Sequence, residues 1–324
     1  MKRYTIPKTD LEVSRLAYGT WHLGGTWDKT PHTDEIRTRA NDLVVRAYEL
    51  GINHIDLADI YTLGKSDEVV GYALKQNPGL RENLVLQEKA GIIVGSDPDF
   101  GPPSRYDFSF DHLVKAVETS LKRLGTDYVD LLAFHRPDPL VDLEEVARAA
   151  AHLHKEGLVR YFGVSNHSVA QLALLQKHLD QPLVVNQLEL SLLHPYLISG
   201  GVMVNRTDAP FAHTDGTLEY CRLHDIMIQA WSPVAGGRLF KVADDAPQNE
   251  RDAAALIAKL AEEKGTTKEG VALAWLLRHP AGIQPILGTE KTSRLTDCVQ
   301  ADAVELTRRE WYSLLEAARG KSVP

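Results

Sequence analysis

The 324-residue chain has 44% apolar and 25% charged side chains, enough for a full hydrophobic core and unlike the composition of a disordered protein. Against 44 Asp and Glu stand 36 Lys and Arg, a net charge of −8 with no basic run to follow a phosphate backbone or an anionic bilayer, so nucleic acid and membrane are not expected partners. The only cysteines, Cys221 and Cys298, lie far apart, no 18 apolar residues run together, and the opening MKRYTIPKTDLEV has no apolar signal core; a soluble, cytoplasmic protein is expected.

In chain order, YTIPKTDLEVSRL predicts a hairpin ahead of the main fold. Short runs rich in β-branched and aromatic residues then recur: LAYGTW, HIDLA, LVLQEKAG, VDLLAFH, VRYFGVSN, LVVNQLELS, MIQAWSP and IQPILGT. Between them lie segments of helical period, among them DEIRTRANDLVVRAYELG, FDHLVKAVETSLKRLG, LEEVARAAAHLHKEG and VAQLALLQKHL, several closing on Gly as a helix C-terminus does. The alternation predicts an α/β fold, a (β/α)₈ TIM barrel formed as a single domain over residues 1–324, with TRREWYSLLEAARG as an extra C-terminal helix. Two long loops, 92–110 and 192–216, follow the third and sixth strands, which places them on the C-terminal face where barrel enzymes hold their substrates.

The informative residues are polar ones at the strand ends. Within GINHIDLADIYTLGKSDEVVG an apolar strand carries Asp56, and a buried carboxylate needs a cation. Lys89, on the neighbouring strand, supplies one. Tyr61 follows the second strand, His135 closes the fourth, Ser165 and Asn166 close the fifth, and Gln187 lies in the sixth. An Asp–Lys pair alone is as often structural as functional, and a lone histidine is more often core. Four titratable residues at three successive strand ends point into one mouth. A tyrosine beside an ammonium is expected to have its pKa lowered toward the working range of a general acid, and a neutral imidazole would align the oxygen it protonates; the chemistry is addition to a carbonyl. Asp59 is either a second rim carboxylate or a loop cap. His152 and His154 point to different faces of one helix and no H-E-x-x-H occurs, so no metal is expected.

This set resembles the aldo-keto reductase superfamily, nearest its bacterial single-chain branch. The likeness runs from LEVSRLAYGTWHLGG to ILGTEKTSRL and rests on D-x-x-x-x-Y at Asp56 and Tyr61, Lys89, DLLAFHRPDP, VRYFGVSN, NQLELSLL and AWSPVAGGRL in family order. It implies NADPH-dependent reduction of a small-molecule aldehyde or ketone, with Tyr61 as proton donor, Lys89 tuning it, Asp56 keeping Lys89 charged and His135 orienting the carbonyl. For the cofactor it implies Gly19, Thr20 and Trp21 after the first strand, and Ser165, Asn166 and Gln187 on the carboxamide. Trp231 would stack on the nicotinamide, and Ser232, Pro233, Gly236, Gly237 and Leu239 would form the loop near the pyrophosphate. Gly288, Thr289, Lys291, Arg294, Asp297 and Cys298 would surround the adenosine and its 2′-phosphate, giving NADP(H) preference with NAD(H) possible. Gly288 stands where many members have lysine and Cys298 where several have asparagine. Trp21 and Arg136 are expected on the substrate wall. No G-x-G-x-x-G opens a helix after a strand, so a Rossmann site is not expected. Two competing readings are a Schiff-base aldolase using Lys89 and an NADP-binding regulatory subunit with little turnover. The oligomeric state is left open.

Overall fold

Each of the eight apolar runs forms a strand, and the eight close on one another in parallel: β3 (Ala17–Gly19), β4 (His54–Asp56), β5 (Val85–Ala90), β8 (Val129–Phe134), β9 (Val159–Ser165), β10 (Leu183–Glu189), β11 (Met227–Trp231) and β12 (Gln284–Leu287). The computed structural model describes residues 1–204, 206 and 216–324. Outside the strands lie α1 (Asp34–Glu49), α2 (Lys65–Gln76), α3 (Phe110–Leu124), α4 (Leu143–Lys155) and α5 (Val169–His178). They are followed by α6 (Tyr196–Val202), α7 (Thr217–Leu223), α8 (Gln248–Glu263), α9 (Lys268–Leu277), α10 (Thr292–Val299) and the additional α11 (Arg308–Arg319).

Local signals start and stop these helices. α3 begins where Ser109 accepts a hydrogen bond from the His112 backbone and ends on Gly125 at φ 66°, and its buried stripe of Leu113, Ala116, Val117, Leu121 and Leu124 follows the helical period. Reciprocal capping boxes, Ser168 with Gln171 and Thr307 with Glu310, open α5 and α11.

The N-terminal hairpin, β1 (Arg3–Thr5) against β2 (Glu12–Ser14), contributes Ile6, Leu11 and Val13 to an apolar cluster with Val85, Leu131 and Met227 from the barrel strands. Above that cluster the barrel interior becomes polar. Asp56 pairs in register with Gly19 and Gln87, and Gln229 with Gln187 and Gln284. Gln87 and Gln229 exchange amide hydrogen bonds of 2.8 and 2.9 Å, Gln229 also donates to Gln284 at 2.9 Å, and Gln284 donates to the Ser14 carbonyl at 2.7 Å. A buried amide group without a partner costs about 1–3 kcal/mol, so this chain of bonds is what allows these three glutamines inside a closed barrel.

The 92–110 segment has structure of its own: β6 (Ile92–Ile93) pairs antiparallel with β7 (Arg105–Tyr106). Of the 192–216 loop, α6 is helical, and residues 205 and 207–215 lie outside the described residues. Among the described residues no helix is long and apolar enough to cross a membrane.

Candidate active site

Asp56 ends β4, and three donors converge on its Oδ1: Lys89 Nζ at 2.7 Å, Gln187 Nε2 at 2.7 Å and Gln87 Nε2 at 3.0 Å. Lys89 is fully buried, and its ammonium also donates to the Leu57 carbonyl at 2.5 Å. The ion pair predicted from the sequence is therefore present. Burial works against the Lys89 ammonium, but Asp56 and then Tyr61 outweigh it and hold its pKa above the usual lysine range.

Tyr61 lies at the end of the turn after β4, its ring centroid 4.9 Å from Lys89 Nζ. The two residues after it, Thr62 at φ 49° and Leu63 at φ 58°, are left-handed, a conformation that costs non-glycine residues about 1 kcal/mol each or more. Thr62 Oγ1, 3.0 Å from Ser66 Oγ, ties this turn to α2. The predicted lowering of the Tyr61 pKa does not occur in the free protein. Burial takes it up to about 12; Lys89 pulls down and Asp56 pushes up, and desolvation is the largest of the three.

The His135 ring stands near-perpendicular to that of Tyr61, centroids 6.0 Å apart at 78°. Burial, then the positive charges of Lys89 and Arg136, hold its pKa well below the usual histidine range, so the imidazole is neutral as predicted. Its Nδ1 has no hydrogen-bond partner in the protein.

At the ends of β9 and β11 a second polar group forms. Asn166, left-handed at φ 61°, donates to Ser165 Oγ at 2.7 Å and accepts from the Trp231 indole at 3.1 Å, while Ser165 Oγ donates to the Gln187 carbonyl at 3.0 Å. These bonds fix the plane of the Trp231 ring, and through Gln187 they connect to Asp56. In the loop after β11, Ser232, Ala235, Gly236 and Gly237 all have positive φ, Pro233 is buried, and a Cβ at Gly236 or Gly237 would meet nothing within 4 Å. The same open space surrounds Gly288. Beyond it, Thr289 Oγ1 accepts from the Lys291 backbone at 3.2 Å where α10 begins, and Arg294 Nε lies 3.8 Å from Glu269. A fixed flat ring, polar strand ends, an open glycine loop and a basic helix start fit a nicotinamide dinucleotide.

Other residues singled out from the sequence have different surroundings. Leu239 and Cys298 are buried in the hydrophobic core, and the Asp297 carbonyl accepts from Thr267 at 2.7 Å, joining α10 to α9. Thr20 is buried with its hydroxyl on the Asp56 carbonyl at 3.0 Å, and a Cβ on Gly19 would come 2.8 Å from Ile286. Trp21 is 53% exposed, in contact with His22 and edge-on to Trp27 at 6.1 Å, and Arg136 is half-buried. Asp59 lies against Asp67 and Arg123, and burial followed by the Asp67 charge raises its pKa to about 8. Sequence reading passed over Gln87, Gln229 and Gln284, although a glutamine inside two otherwise apolar runs, MIQAW and IQPIL, and another after the apolar LVL of LVLQEK, was a visible signal. It also passed over Glu88, Asp67, Ser120 and Arg123, which meet behind Lys89.

The model of the aldo/keto reductase family matches residues 15–319. Oxidoreductase YdhF of Escherichia coli is 37% identical over 324 residues, covering 100% of both chains. A 6-dehydroglucose reductase of Agrobacterium fabrum is 36% identical over 314 residues, 97% of each chain. The glycerol dehydrogenase of Gluconobacter oxydans superposes with a TM-score of 0.81 at 26% identity, over 97% of this chain and 94% of that one. Family members are oxidoreductases that use nicotinamide cofactors on small carbonyl compounds, and with a closed barrel carrying Asp56, Tyr61, Lys89 and His135 at one mouth, this chain belongs to the aldo/keto reductase family.

Proposed function

We propose that the chain reduces a polar aldehyde or ketone to the alcohol with NADPH, and that Tyr61 delivers the proton. The observation that carries this reading is the buried Lys89–Asp56 pair, 2.7 Å long, with the Tyr61 ring beside the ammonium. When bound, the nicotinamide supplies the hydride to the carbonyl carbon. The protein's part is to manage the oxygen. As negative charge develops there, the neutral His135 donates to it and Tyr61 gives up its proton. Lys89 then steadies the phenolate that remains, and Asp56 keeps Lys89 charged. A tyrosine pKa of about 12 suits this role, because an alkoxide is a far stronger base than the phenolate, so the transfer runs downhill while the resting tyrosine stays protonated.

Ser165, Asn166, Gln187 and Trp231 would hold the nicotinamide, the Gly236–Gly237 loop the pyrophosphate, and Thr289, Lys291 and Arg294 the 2′-phosphate; the exposed Lys291 at the start of α10 supports NADPH over NADH. A hydroxylated, sugar-like carbonyl is supported by the 6-dehydroglucose reductase among the relatives and by the exposed indole of Trp21, a flat face suited to a sugar ring. A Schiff-base role for Lys89 is disfavoured, since an ammonium held by Asp56 and the Leu57 carbonyl is not the free amine that attacks a carbonyl.

A panel of aldehydes, ketones and sugar aldehydes run with NADPH and NADH tests the reading. Tyr61→Phe is expected to lower turnover by about 10²- to 10⁴-fold with NADPH affinity retained; undiminished turnover would remove Tyr61 from the acid role. Arg294→Ala is expected to weaken NADPH about tenfold and NADH little, and equal losses would argue against a 2′-phosphate contact.

A further inference from the structure

Glu88 and Lys89 are consecutive on β5, so their side chains leave the strand on opposite faces. Leu57 N donates to Gln87 O at 2.8 Å and Asp59 N to Lys89 O at 3.1 Å, the pattern of a parallel ladder in which the Lys89 N–H would next bond the Leu57 carbonyl. That bond is replaced. The Leu57 carbonyl takes the Lys89 ammonium, and the Lys89 N–H donates to Glu88 Oε1 at 2.9 Å. Glu88 thus satisfies the backbone group that the ammonium has displaced.

Glu88 is fully buried among other ionisable groups. Asp59 faces it from the turn after β4, and Asp67, with Glu68 beside it, from α2. From α3 come Ser120, whose hydroxyl donates to Asp67 Oδ2 at 2.9 Å, and Arg123, which donates to the Asp59 carbonyl at 3.1 Å and lies 4.0 Å from Asp67 Oδ2. Gly64 admits that guanidinium: at φ 89° a Cβ there would sit 2.2 Å from Arg123 Cζ. One oxygen of each acid, Asp59 Oδ1, Asp67 Oδ1 and Glu88 Oε2, has no hydrogen-bond partner. Three buried carboxyls beside one guanidinium cannot all ionise near neutral pH. Among the described residues they do not form a metal-ligand group.

We propose that Glu88 is a positioning residue for Lys89, and that the protons shared by Glu88, Asp59 and Asp67 keep negative charge off the back of the Lys89–Tyr61 pair during reduction. This rests on the reading of Tyr61 as proton donor. Burial, then Asp67 and Asp59, hold the Glu88 carboxyl well above the usual range, and burial, against the pull of Ser120 and Arg123, raises Asp67 to about 7. An ionised Glu88 raises the Tyr61 pKa and so makes Tyr61 a weaker acid. Reduction therefore slows as the cluster loses its protons.

The test is the pH profile of kcat for NADPH-dependent reduction of 4-nitrobenzaldehyde from pH 6 to 9, in the wild type, Glu88→Gln and Glu88→Leu, with amide hydrogen exchange at Lys89 measured alongside. Glu88→Gln keeps an oxygen for the Lys89 N–H and has nothing to ionise. Its rate is expected to match the wild type within about twofold at pH 6 and exceed it about threefold at pH 9. Glu88→Leu removes the acceptor: kcat is expected to fall about tenfold at every pH with NADPH affinity retained, and Lys89 amide exchange to quicken about tenfold. A Glu88→Gln profile superimposed on the wild type, or Lys89 exchange unchanged in Glu88→Leu, would overturn the inference. Exchange needs no turnover and is read even if Tyr61→Phe shows the acid assignment to be wrong; should Glu88→Leu fail to fold, the Glu88→Gln profile decides.

Discussion

Two sides of one strand handle buried charge in opposite ways. On the inner face of β5, Lys89 meets Asp56, one cation to one anion, with Gln87 and Gln187 adding hydrogen bonds to the same carboxylate oxygen. On the outer face, one residue earlier, Glu88 meets Asp59 and Asp67 with Arg123 as the cation that touches them. The inner pair is balanced and can stay ionised out of water; the outer group has more acid than base, and its protons must make up the difference. Burial is the same on both faces, so the count of partners decides which groups carry charge.

The balanced face is broken most severely by removing one charge. Asp56→Asn would leave the Lys89 ammonium buried without a counter-ion, and a loss of about 3–5 kcal/mol in unfolding free energy is expected by denaturant titration. Adding Lys89→Met to Asp56→Asn should restore much of that stability while activity stays lost, because a neutral pair has no desolvation penalty to offset. A double variant no more stable than the single one would mean that the pair's worth lies in its hydrogen bonds and not in its charge balance.

The inner face was legible in the sequence for a simple reason. Strand ends of a barrel converge, so Asp56, Tyr61, Lys89 and His135 needed only the strand order to be brought together. The outer face was hidden. Glu88 occupies the alternate position in LVLQEKAG, and its partners come from a turn and two helices, at positions 59, 67, 120 and 123, which no periodicity links. The Tyr61 pKa was predicted in the wrong direction on the same ground: a sequence displays the neighbouring ammonium but not how thoroughly the phenol is desolvated. Short elements inside long loops, such as the β6–β7 hairpin, also lack a periodic signal, since two residues per strand are too few to show alternation.

The unbalanced face predicts how stability changes with pH. The folded pKa values of Asp67, about 7, and Asp59, about 8, lie above the unfolded value of 3.8, so the folded state holds more protons and loses stability as pH rises through them. His54, His167 and His279, each lowered by burial to about 4 from 6.5, act in the opposite sense until the unfolded imidazoles have lost their protons, which is nearly complete about one pH unit above 6.5. From about pH 7.5 to 8.5 the carboxyls therefore act alone, and unfolding free energy is expected to fall by about 1 kcal/mol. A flat or rising curve in that window would show these acids ionised in the folded protein and compensated by something other than Arg123.

Asp67→Asn sharpens the contrast with the smallest change. The amide keeps an oxygen for the Ser120 hydroxyl, and its N–H₂ turns toward the unpartnered oxygens of Asp59 and Glu88, so it supplies permanently the donor that a proton supplies in the wild type. The variant should be at least as stable as the wild type at pH 8.5, and the drop between pH 6.5 and 8.5 should shrink by about 1 kcal/mol, since one acid no longer titrates and the one nearest it loses a like-charged neighbour. The equivalent change on the inner face, Asp56→Asn, destabilises at every pH. Opposite signs for the same Asp→Asn substitution on two sides of one strand are what partner counting requires, and a stability loss in Asp67→Asn comparable to that of Asp56→Asn would show that Arg123 and Asp67 form an ion pair as tight as the one in the barrel.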